Sequence, residues 1–561
     1  MGVPKFFSAF HKYVGIKRVT KRQVTNVGTL LFDLPSMLHS VAQQTYGYGE
    51  NVPKPVKERA RQMSSETLFE EYVKAVCDEI LAIITEVNPR IVGLFFDGVP
   101  VGGKIQQQRQ RRFWAAQERD PESIFDSNNI TVGTVFLREL ENRIEIWIKE
   151  NRSSLPEVVV FSSQFSPGEG EHKMMDFIRE ESEKITMAGS TIIYGLDTDL
   201  FLLSLLLPIS DVYLWRKQDR GDIPPFHDIE ESKKILKSKL DPESSMSLEK
   251  VLRDFVAFTF LLGNDFLPRN LSLENFQRVL PLMIEIYSSF QKEEHRPLTT
   301  KKRIIWSNML QYIKQIAKHE SKLLIENTEV FTNAGGIAYK EAIIASKNSL
   351  DYKRYKSVYY DHRHRMDTEN GGISSKITRD NYPTELVTDY LKTMNFVFDY
   401  YNGGSDAVNK IFYYRFHYSP VLSDLINLGA HIIKDIVEEA EWRPSDDSEN
   451  FLAPTQLLVA VLPLKSSNLY PKSIKSQVEE KIANHKKWKT LFPSEVIKDN
   501  DGVTDIKHAP VLVPFFPPNL TENIKIPGKK DKENLSYSWT VYMRKKKKDI
   551  SKQKEETEIL F

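Results

Sequence analysis

The chain has 561 residues, with 77 Lys and Arg against 76 Asp and Glu, a formal net charge of +1 and 40% hydrophobic residues. This balance is typical of a globular protein and excludes a histone-like polycation, so any contact with nucleic acid must use local basic patches. The single cysteine, Cys77, excludes an intrachain disulfide and a cysteine-based zinc site, and favours a reducing, intracellular compartment. The longest apolar run, residues 200–209, falls far short of the roughly 20 residues that a membrane-spanning helix needs.

The first 270 residues alternate short β-rich runs with amphipathic stretches, which is typical of a mostly parallel α/β sheet. The predicted strands cover residues 27–32, 91–96, 157–161 and 190–196, and the predicted crossover helices include 65–87 and 135–150. Acidic residues directly follow three of these strands. Because parallel sheets bind ligands beyond the carboxyl ends of their strands, we expect the functional site at this edge.

Composition divides the chain into four segments. We predict a first ordered region over residues 1–290, a polar helical or linker segment over 291–382, a second, mainly helical region over 383–526, and a charged, flexible tail over 527–561. The tail contains a basic run, Lys545–Lys548, which is typical of a solvated end, a nuclear-targeting signal or a contact with nucleic acid.

Seven acidic residues stand at predicted element ends or in short motifs. They are Asp33, Asp97, Glu169 and Glu171 in Pro-Gly-Glu-Gly-Glu-His-Lys, Asp197 and Asp199 in Tyr-Gly-Leu-Asp-Thr-Asp, and Asp265 in Leu-Leu-Gly-Asn-Asp-Phe-Leu-Pro. A single Asp after a strand commonly caps the next helix. Two of the motifs, however, repeat an acid at i, i+2, which in an extended segment places both carboxylates on one side. The set therefore predicts one acidic cluster.

Such a cluster raises the pKa of its own carboxyl groups unless cations neutralise it. Oxygen ligands without a cysteine set or a histidine pair favour Mg²⁺, with Mn²⁺ as a substitute, over zinc. Two such ions about 4 Å apart activate a water and stabilise the leaving oxygen of a phosphodiester. We therefore predict that the seven acids are the metal ligands and catalytic residues of a two-metal phosphodiesterase.

A basic stretch follows Asp97 directly, and residues 98–117 contain no acid. Four of its side chains share a sector about 100° wide if the stretch is helical: Lys104, Gln108, Arg111 and Arg112. A terminal phosphate monoester carries close to two negative charges, and its oxygens match these donors. We therefore predict a pocket for a 5′-monophosphate end, which would make the enzyme an exonuclease. The alternative is a solvated basic helix.

Six motifs follow one another along the first half of the chain. They are Met1-Gly-Val-Pro-Lys-Phe-Phe, Phe-Phe-Asp97-Gly-Val-Pro with Gln-Gln-Arg-Gln-Arg-Arg112-Phe, Phe-Asp126-Ser-Asn-Asn-Ile-Thr-Val-Gly-Thr, Pro-Gly-Glu-Gly-Glu171-His-Lys, Tyr-Gly-Leu-Asp-Thr-Asp199-Leu and Leu-Leu-Gly-Asn-Asp265-Phe-Leu-Pro. Together they resemble the XRN family of 5′→3′ exoribonucleases, in its first conserved region. A weaker match to the second conserved region runs through Tyr400-Tyr-Asn-Gly-Gly, Tyr413-Tyr-Arg-Phe-His-Tyr and Pro454-Thr-Gln-Leu-Leu.

The resemblance implies a PIN/flap-nuclease-like α/β core, with the second, mainly helical region packed on it. It implies processive removal of 5′-nucleotides from 5′-monophosphorylated single-stranded RNA with Mg²⁺. By position, the seven acids match the family's metal site, and the four residues of the basic stretch match its 5′-phosphate pocket. His39 matches a histidine that stacks near the terminal base, and the alternative is a core histidine.

The chain departs from the family pattern at two places. Pro35 and Ser36 stand where the family has an Asn-Gly pair, which predicts a different turn before His39. The family's tryptophan-bearing stretches are replaced by Phe396 and by Lys410-Ile-Phe412. We predict Phe396 as the aromatic residue that sandwiches a base with His39.

Two other functions remain open: a structure-specific flap-type DNA nuclease, and a catalytically inactive RNA-binding scaffold. The basic stretch after Asp97 suits an end-phosphate pocket better than a threaded flap, and the presence of every expected acid argues against the scaffold. The expected partners are single-stranded RNA with a 5′-monophosphate and a decapping or pyrophosphohydrolase enzyme that supplies such ends. We expect an intracellular monomer that does not bind membranes.

Overall fold

The computed structural model describes residues 10–15, 17–216, 226–331, 336–344, 349–444, 451–521, 524–525 and 538–544. The motif at the start of the chain and the Lys545–Lys548 run lie outside these residues. No helix in the described part of the chain is long and apolar enough to cross a lipid bilayer.

The described strands form one large sheet and two short ribbons. In chain order they are β1 (Arg18–Val19), β2 (Val27–Asp33), β3 (Ile91–Phe95), β4 (Val158–Ser162), β5 (Ser190–Tyr194), β6 (Val212–Trp215), β7 (Phe226–Asp228), β8 (Ile343–Ile344), β9 (Ser349–Leu350), β10 (Ile497–Lys498), β11 (Val511–Leu512) and β12 (Thr540–Met543). The large sheet has the order β1-β7-β6-β5-β2-β3-β4-β12. The five strands from β6 to β4 are parallel, which confirms the predicted α/β class.

Helices flank this sheet and form most of the remaining structure. In the first region they are α1 (Leu34–Tyr46), α2 (Lys54–Arg61), α3 (Ser65–Val87), α4 (Gly102–Glu118), α5 (Val135–Glu150), α6 (Gly170–Glu180), α7 (Ser182–Ala188), α8 (Asp199–Leu205), α9 (Ile229–Leu240), α10 (Leu248–Thr259) and α11 (Phe276–Glu294). Further along the chain they are α12 (Trp306–Ala317), α13 (Glu320–Val330), α14 (Ile337–Ala342), α15 (Tyr352–Met366), α16 (Tyr382–Gly403), α17 (Leu422–Asn427), α18 (Gly429–Glu439), α19 (Pro454–Val461), α20 (Lys472–Asn484) and α21 (Lys486–Leu491).

Local sequence explains where these elements begin. The central strand β2 carries a continuous apolar run, Leu30 to Phe32, that is fully buried between the helical layers. Helix α3 begins where the Ser64 side chain accepts a hydrogen bond from the Thr67 N–H. Helix α5 begins in the same way at Thr134. Ser and Thr favour these positions because their oxygens satisfy an otherwise unpaired donor of the first turn.

The segment predicted as a polar helical or linker region, residues 291–382, is helical over much of its described part. Its helices α12 and α15 bury aromatic side chains such as Tyr312 and Tyr359. These side chains belong to the same hydrophobic core as helix α16 and the apolar residues of α10. The first and second regions therefore share a continuous core.

Helix α4 is fastened to the second region by buried polar contacts. The Arg109 side chain is fully buried and donates hydrogen bonds to the backbone carbonyls of Pro514, Ala460 and Leu491. One turn away, the Gln106 amide exchanges two hydrogen bonds with the backbone of Phe516. Because one turn of α4 is bonded to three distant segments, the second region fixes the position of this helix.

The structure differs from the predicted flexible tail at residues 540–543. These residues form β12, which pairs antiparallel with the edge strand β4. The neighbouring Trp539 packs edge-on against Phe177 at 5.3 Å, and the Tyr542 hydroxyl donates to Glu145. Apolar and aromatic side chains inside a charged segment supply this local anchor.

Candidate active site

The carboxyl edge of the sheet brings the strand-end acids together. Asp33 is the last residue of β2 and lies opposite Phe95 of β3, so Asp97 follows just beyond the same edge. Asp33 precedes α1, but its side chain makes no capping hydrogen bond, which leaves the carboxylate directed to the site. Pro35 occupies the first turn of α1, where a missing N–H costs no helical hydrogen bond. The departure from the Asn-Gly pattern is thus accommodated by the helix start.

Helix α6 delivers two more acids to this edge. Glu169 is its N-cap residue and Glu171 lies in its first turn. Between them, the Gly170 N–H donates to Asp97 Oδ1 at 2.8 Å. A Cβ at Gly170 would lie 2.9 Å from Asp33 Oδ1, so glycine is needed for the close approach of these carboxylates.

The last acids come from two further elements. Asp199 begins α8 after strand β5, and Asp197 lines the same cavity as Asp33 and Asp97. Asp265 lies in the loop that follows α10, next to Asn264. The Asn264 Oδ1 accepts hydrogen bonds from two backbone N–H groups of this loop and fixes its turn.

Lys104 links the acids of α6 to Asp265. Its ammonium group is buried and forms ion pairs with Glu169 and with Asp265 Oδ2, the latter at 2.6 Å. Gln107 of the same helix donates to Asp265 Oδ1 at 3.3 Å. The structure therefore places Lys104, predicted in the phosphate pocket, between that pocket and the acids.

The electrostatics of this cluster show an excess of negative charge. Burial raises the pKa of Asp33 well above its usual value, and the neighbouring Asp97 and Asp197 raise it further. Burial, with Glu169 next in importance, likewise raises the pKa of Glu171. Burial alone would also raise the pKa of Asp265, but Lys104 holds it below its usual range. One lysine therefore compensates only part of the cluster, and further cations would stabilise it.

A cavity of about 440 Å³ connects the acids to the basic helix, and we call it the front cavity. Its lining includes the acids Asp33, Asp97, Glu169, Glu171 and Asp197, together with Lys104, Gln108, Arg111, Arg112 and His39. Asp199 and Asp265 lie next to this lining: Asp265 bonds Lys104, and it raises the pKa of Asp199 in addition to burial. The residues predicted for the acids and the phosphate pocket thus surround one space.

On the basic side of the front cavity, some donor side chains are hydrogen-bonded to the protein and others are not. Arg112 Nε donates to Thr131 Oγ1 at 2.8 Å, whereas Arg111 is exposed and has no hydrogen bond or ion pair to another described residue. Burial, followed by the charges of Arg111 and Arg112, lowers the pKa of His39 to about 3. His39 is therefore neutral at physiological pH and offers an uncharged aromatic ring beside two guanidinium groups.

The donor set fits a hard divalent cation. Glu171 Oε2 is buried and has no hydrogen-bond partner in the described part of the chain, so it is available as a ligand. Ligand atoms of Glu169, Glu171 and His172 all lie within 4.8 Å of one another. His172 is not among the ligands predicted from the sequence, although it stands in the same Pro-Gly-Glu-Gly-Glu-His-Lys motif. Its position directly after Glu171 is the sequence feature that could have marked it as a candidate ligand.

Two family models match the chain. One, described as the XRN 5′-3′ exonuclease N-terminus, covers residues 1–218, and the other, described as the Xrn1 helical domain, covers 245–334 and 340–517. The chain belongs to the XRN family. The mostly parallel sheet and the match to the helical domain together confirm an α/β core with a mainly helical second region.

Curated relatives of this XRN chain include two proteins named 5′-3′ exoribonuclease 1. That of Homo sapiens is 24% identical over 92% of this chain and 33% of the relative. That of Saccharomyces cerevisiae is 23% identical over 92% of this chain and 42% of the relative. A 5′-3′ exoribonuclease 2 from Arabidopsis thaliana is 26% identical over 47% of this chain and 34% of the relative. The XRN chain therefore spans less than half the length of these relatives.

Among solved structures, the XRN chain is similar to the T5 D15 protein co-crystallized with metal ions. The likeness covers 53% of this chain and 86% of that one, with 10% identity and a TM-score of 0.28.

The structure of the XRN chain corrects the prediction for Phe396. Its side chain is 1% exposed and packs against the rings of Phe412 and Tyr400, at 5.2 and 5.9 Å. Because the ring is enclosed in the core, it has no surface on which a base can stack. Beside His39, the front cavity is lined by the aromatic side chains of the buried Phe96 and the half-buried Tyr48, and Tyr48 is the more accessible of the two.

Proposed function

We propose that this chain is a processive 5′→3′ exoribonuclease that degrades 5′-monophosphorylated single-stranded RNA to 5′-mononucleotides. The observation that carries the proposal is the front cavity, in which catalytic-type acids and end-phosphate donors line one continuous space. The names of the relatives support the reaction class.

The acids Asp33, Asp97, Glu169, Glu171, Asp197, Asp199 and Asp265 would hold two Mg²⁺ ions, or Mn²⁺ in their place. Burial together with neighbouring carboxylates raises the pKa of four of them, Asp33, Glu169, Glu171 and Asp199. This supports the assignment, because a bound divalent cation would stabilise the ionised form of such crowded, buried carboxylates. When bound, two ions activate a water and stabilise the leaving oxygen of the phosphodiester.

The basic side of the front cavity would bind the RNA end. Gln108, Arg111 and Arg112 present amide and guanidinium donors that match the oxygens of a dianionic 5′-phosphate. A 5′-hydroxyl lacks this charge, so the pocket selects monophosphate ends. Binding at this point places the first internal phosphodiester towards the acids.

Hydrolysis then proceeds at that phosphodiester. A water oxygen forms a bond to phosphorus while the 3′-oxygen of the first nucleotide leaves and takes up a proton, which releases a nucleoside 5′-monophosphate. The shortened RNA keeps the phosphate as its new 5′ end. Because each cycle regenerates the group that the pocket binds, repeated cleavage without release follows.

His39 and Tyr48 would contact the bases of the bound strand. Stacking on aromatic rings holds single-stranded nucleic acid without sequence preference, at about 1–3 kcal/mol per base. The neutral state of His39 suits such a contact. We further propose that the chain works as a monomer, and that an enzyme which converts capped or triphosphate ends to monophosphates supplies its substrate.

Digestion of three RNAs tests the proposal. The RNAs are identical except for a 5′-monophosphate, 5′-hydroxyl or 5′-triphosphate, and products are resolved by size with Mg²⁺ and with EDTA. We expect mononucleotides without intermediates, from the monophosphate RNA and with Mg²⁺ only. Internal cuts would instead indicate a flap-type nuclease, and tight RNA binding without cleavage would indicate a scaffold.

A further inference from the structure

A second cavity of about 390 Å³ lies on the opposite side of helix α4, and we call it the rear cavity. Along α4 its lining uses Gln107, Gln110 and Trp114, whereas the front cavity uses Lys104, Gln108 and Arg112. Only Arg111 and Ala115 border both cavities. The helix thus separates two spaces that meet at one exposed arginine.

The rear cavity is lined by cations that have little compensating charge. The Lys507 side chain is exposed and has no hydrogen bond or ion pair among the described residues, and the Lys498 ammonium donates a hydrogen bond to the backbone carbonyl of Lys507 at 3.3 Å. Two lining carboxylates are already engaged. Asp265 pairs with Lys104, and Glu274 accepts a hydrogen bond from the Thr504 N–H at 2.6 Å. Even with Glu274 ionised, cations outnumber carboxylates in the lining, which favours an anionic ligand. The cations include Arg111, Arg269, Lys498 and Lys507, against Asp265 and Glu274.

Aromatic side chains lie beside these cations. The half-buried Trp114 ring lies 5.0 Å from the Lys498 ammonium, and Phe515, also half-buried, stacks on His417 at 4.4 Å. Aromatic rings next to lysine and arginine are typical of sites that bind a base and a phosphate together. The cavity volume also lies in the range of about 300–1,000 Å³ that is usual for small-ligand pockets.

We propose that the rear cavity is a second nucleotide site, which receives the nucleoside 5′-monophosphate released by the front cavity. This inference rests on the proposed exonuclease function, because that reaction produces this compound. In each cycle the new 5′-phosphate of the RNA must bind the same donors of the front cavity that the phosphate of the released product still occupies. The incoming strand fills the front cavity, so the product needs a separate place to go.

Arg111 connects the two sites. Its side chain is exposed, borders both cavities and is not held by another described residue, so its guanidinium can contact a phosphate on either side of α4. The product phosphate can therefore move from the front to the rear cavity while it stays paired with one cation. Lys498 and Lys507 then supply the charge that draws it away.

Equilibrium dialysis with adenosine 5′-monophosphate (AMP) tests this site in the full chain with Mg²⁺. We expect two AMP molecules per wild-type chain, one in each cavity. The double variant Lys498→Ala/Lys507→Ala should still bind AMP in the front cavity. Its affinity for the second AMP, in the rear cavity, should fall at least tenfold. Lys487→Ala, an exposed lysine of α21 that lines neither cavity, is the matched control and should bind two.

A second variant and a second probe separate nucleotide from simple anion binding. Trp114→Leu should weaken AMP at the rear cavity and leave binding of inorganic phosphate unchanged. Equal loss of both probes would overturn the nucleotide assignment in favour of an anion site. One AMP per wild-type chain would overturn the proposal outright.

RNA measurements distinguish the remaining outcomes. The double variant should bind 5′-monophosphorylated RNA and make the first cut in a single turnover as the wild type does. A parallel loss of RNA affinity would overturn the product site and make the rear cavity part of the RNA path. If the wild type binds two AMP molecules but cleaves no RNA, the exonuclease function fails, and with it the role of the rear cavity in product release.

Discussion

The two regions of the molecule contribute different things to the site. The first region supplies the acids and the basic donors, from strand ends, from loops and from the side of α4 that lines the front cavity. The second region supplies position: its backbone carbonyls hold Arg109, and the Tyr400 hydroxyl of α16 reaches Glu169 at 3.3 Å. The neighbouring residues Gln108 and Arg109 show this division most directly, since one lines the cavity and the other is buried in the second region. Chemistry and placement are therefore separable by mutation.

The largest expected effect belongs to the acids of the first region. Under the proposed mechanism, Asp199→Ala removes a metal-holding carboxylate and should lower the cleavage rate by about 10³-fold, a cost of several kcal/mol in the transition state. RNA affinity should change little, because the donors proposed to bind the end phosphate remain. Single-turnover digestion and fluorescence anisotropy measure the two quantities. Asp435→Ala, an exposed acid of α18, is the control, and metal-dependent turnover by the Asp199 variant would contradict the assignment.

The second expected effect is on stability and comes from the link between the regions. Arg109→Ala leaves three carbonyls without their donor in a buried site and should lower the free energy of unfolding by about 3–4 kcal/mol. Urea unfolding measures this change. Arg111→Ala, two residues away and exposed, should leave the unfolding free energy within about 0.5 kcal/mol of the wild type. Equal stability of the two variants would show that α4 does not depend on the second region.

These cases show what the sequence could predict. The strand-end acids were predictable because a strand boundary and an adjacent carboxylate are local features. The burial of Arg109 was not, because helical periodicity relates side chains to one another without saying which face meets the second region. The prediction for Phe396 was wrong for a related reason, since an aromatic residue suits a core and a base-stacking site equally well. Only the packing of its ring against Phe412 and Tyr400 shows that it belongs to the core. Strand β12 pairs with β4, more than 370 residues earlier in the chain, and local sequence patterns cannot predict a pairing over so large a separation.

A pH prediction tests how the segment 291–382 packs on the second region, because the Glu320 carboxyl group accepts hydrogen bonds from the backbone N–H groups of Leu422 and Ser423. Burial outweighs three hydrogen bonds and raises the pKa of Glu320 to about 7. The folded state therefore holds this proton more tightly than the unfolded chain, so the stabilisation is complete below pH 4.5 and is lost as the pH rises towards 7, by up to about 3 kcal/mol. Urea unfolding between these pH values measures the slope. Glu320→Gln should flatten it, whereas Glu329→Gln, exposed on the same helix, should not.

A substitution at Arg111 tests the role of the basic donors that the first region contributes to the front cavity. Arg111→Ala should reduce the preference for monophosphate over hydroxyl ends by about 30-fold, since a charge-assisted contact to a phosphate contributes about 2 kcal/mol. The comparison of cleavage rates for the two RNAs measures this preference. Equal loss on both substrates would show that the arginine contacts the RNA backbone in general and not its end. Lys487→Ala is the control for a lost surface charge.

The smallest expected effect concerns the contact through which the second region reaches the acids. Tyr400→Phe removes the hydrogen bond to Glu169 but keeps the ring that stacks on His172 at 3.8 Å. One hydrogen bond contributes about 1 kcal/mol, so kcat should fall about fivefold with KM unchanged. Tyr390→Phe, buried on the same helix and away from the acids, is the matched control. If both variants cleave like the wild type, α16 supports the site by packing alone. The second region would then only position the site, and the first region would supply all of its chemical groups.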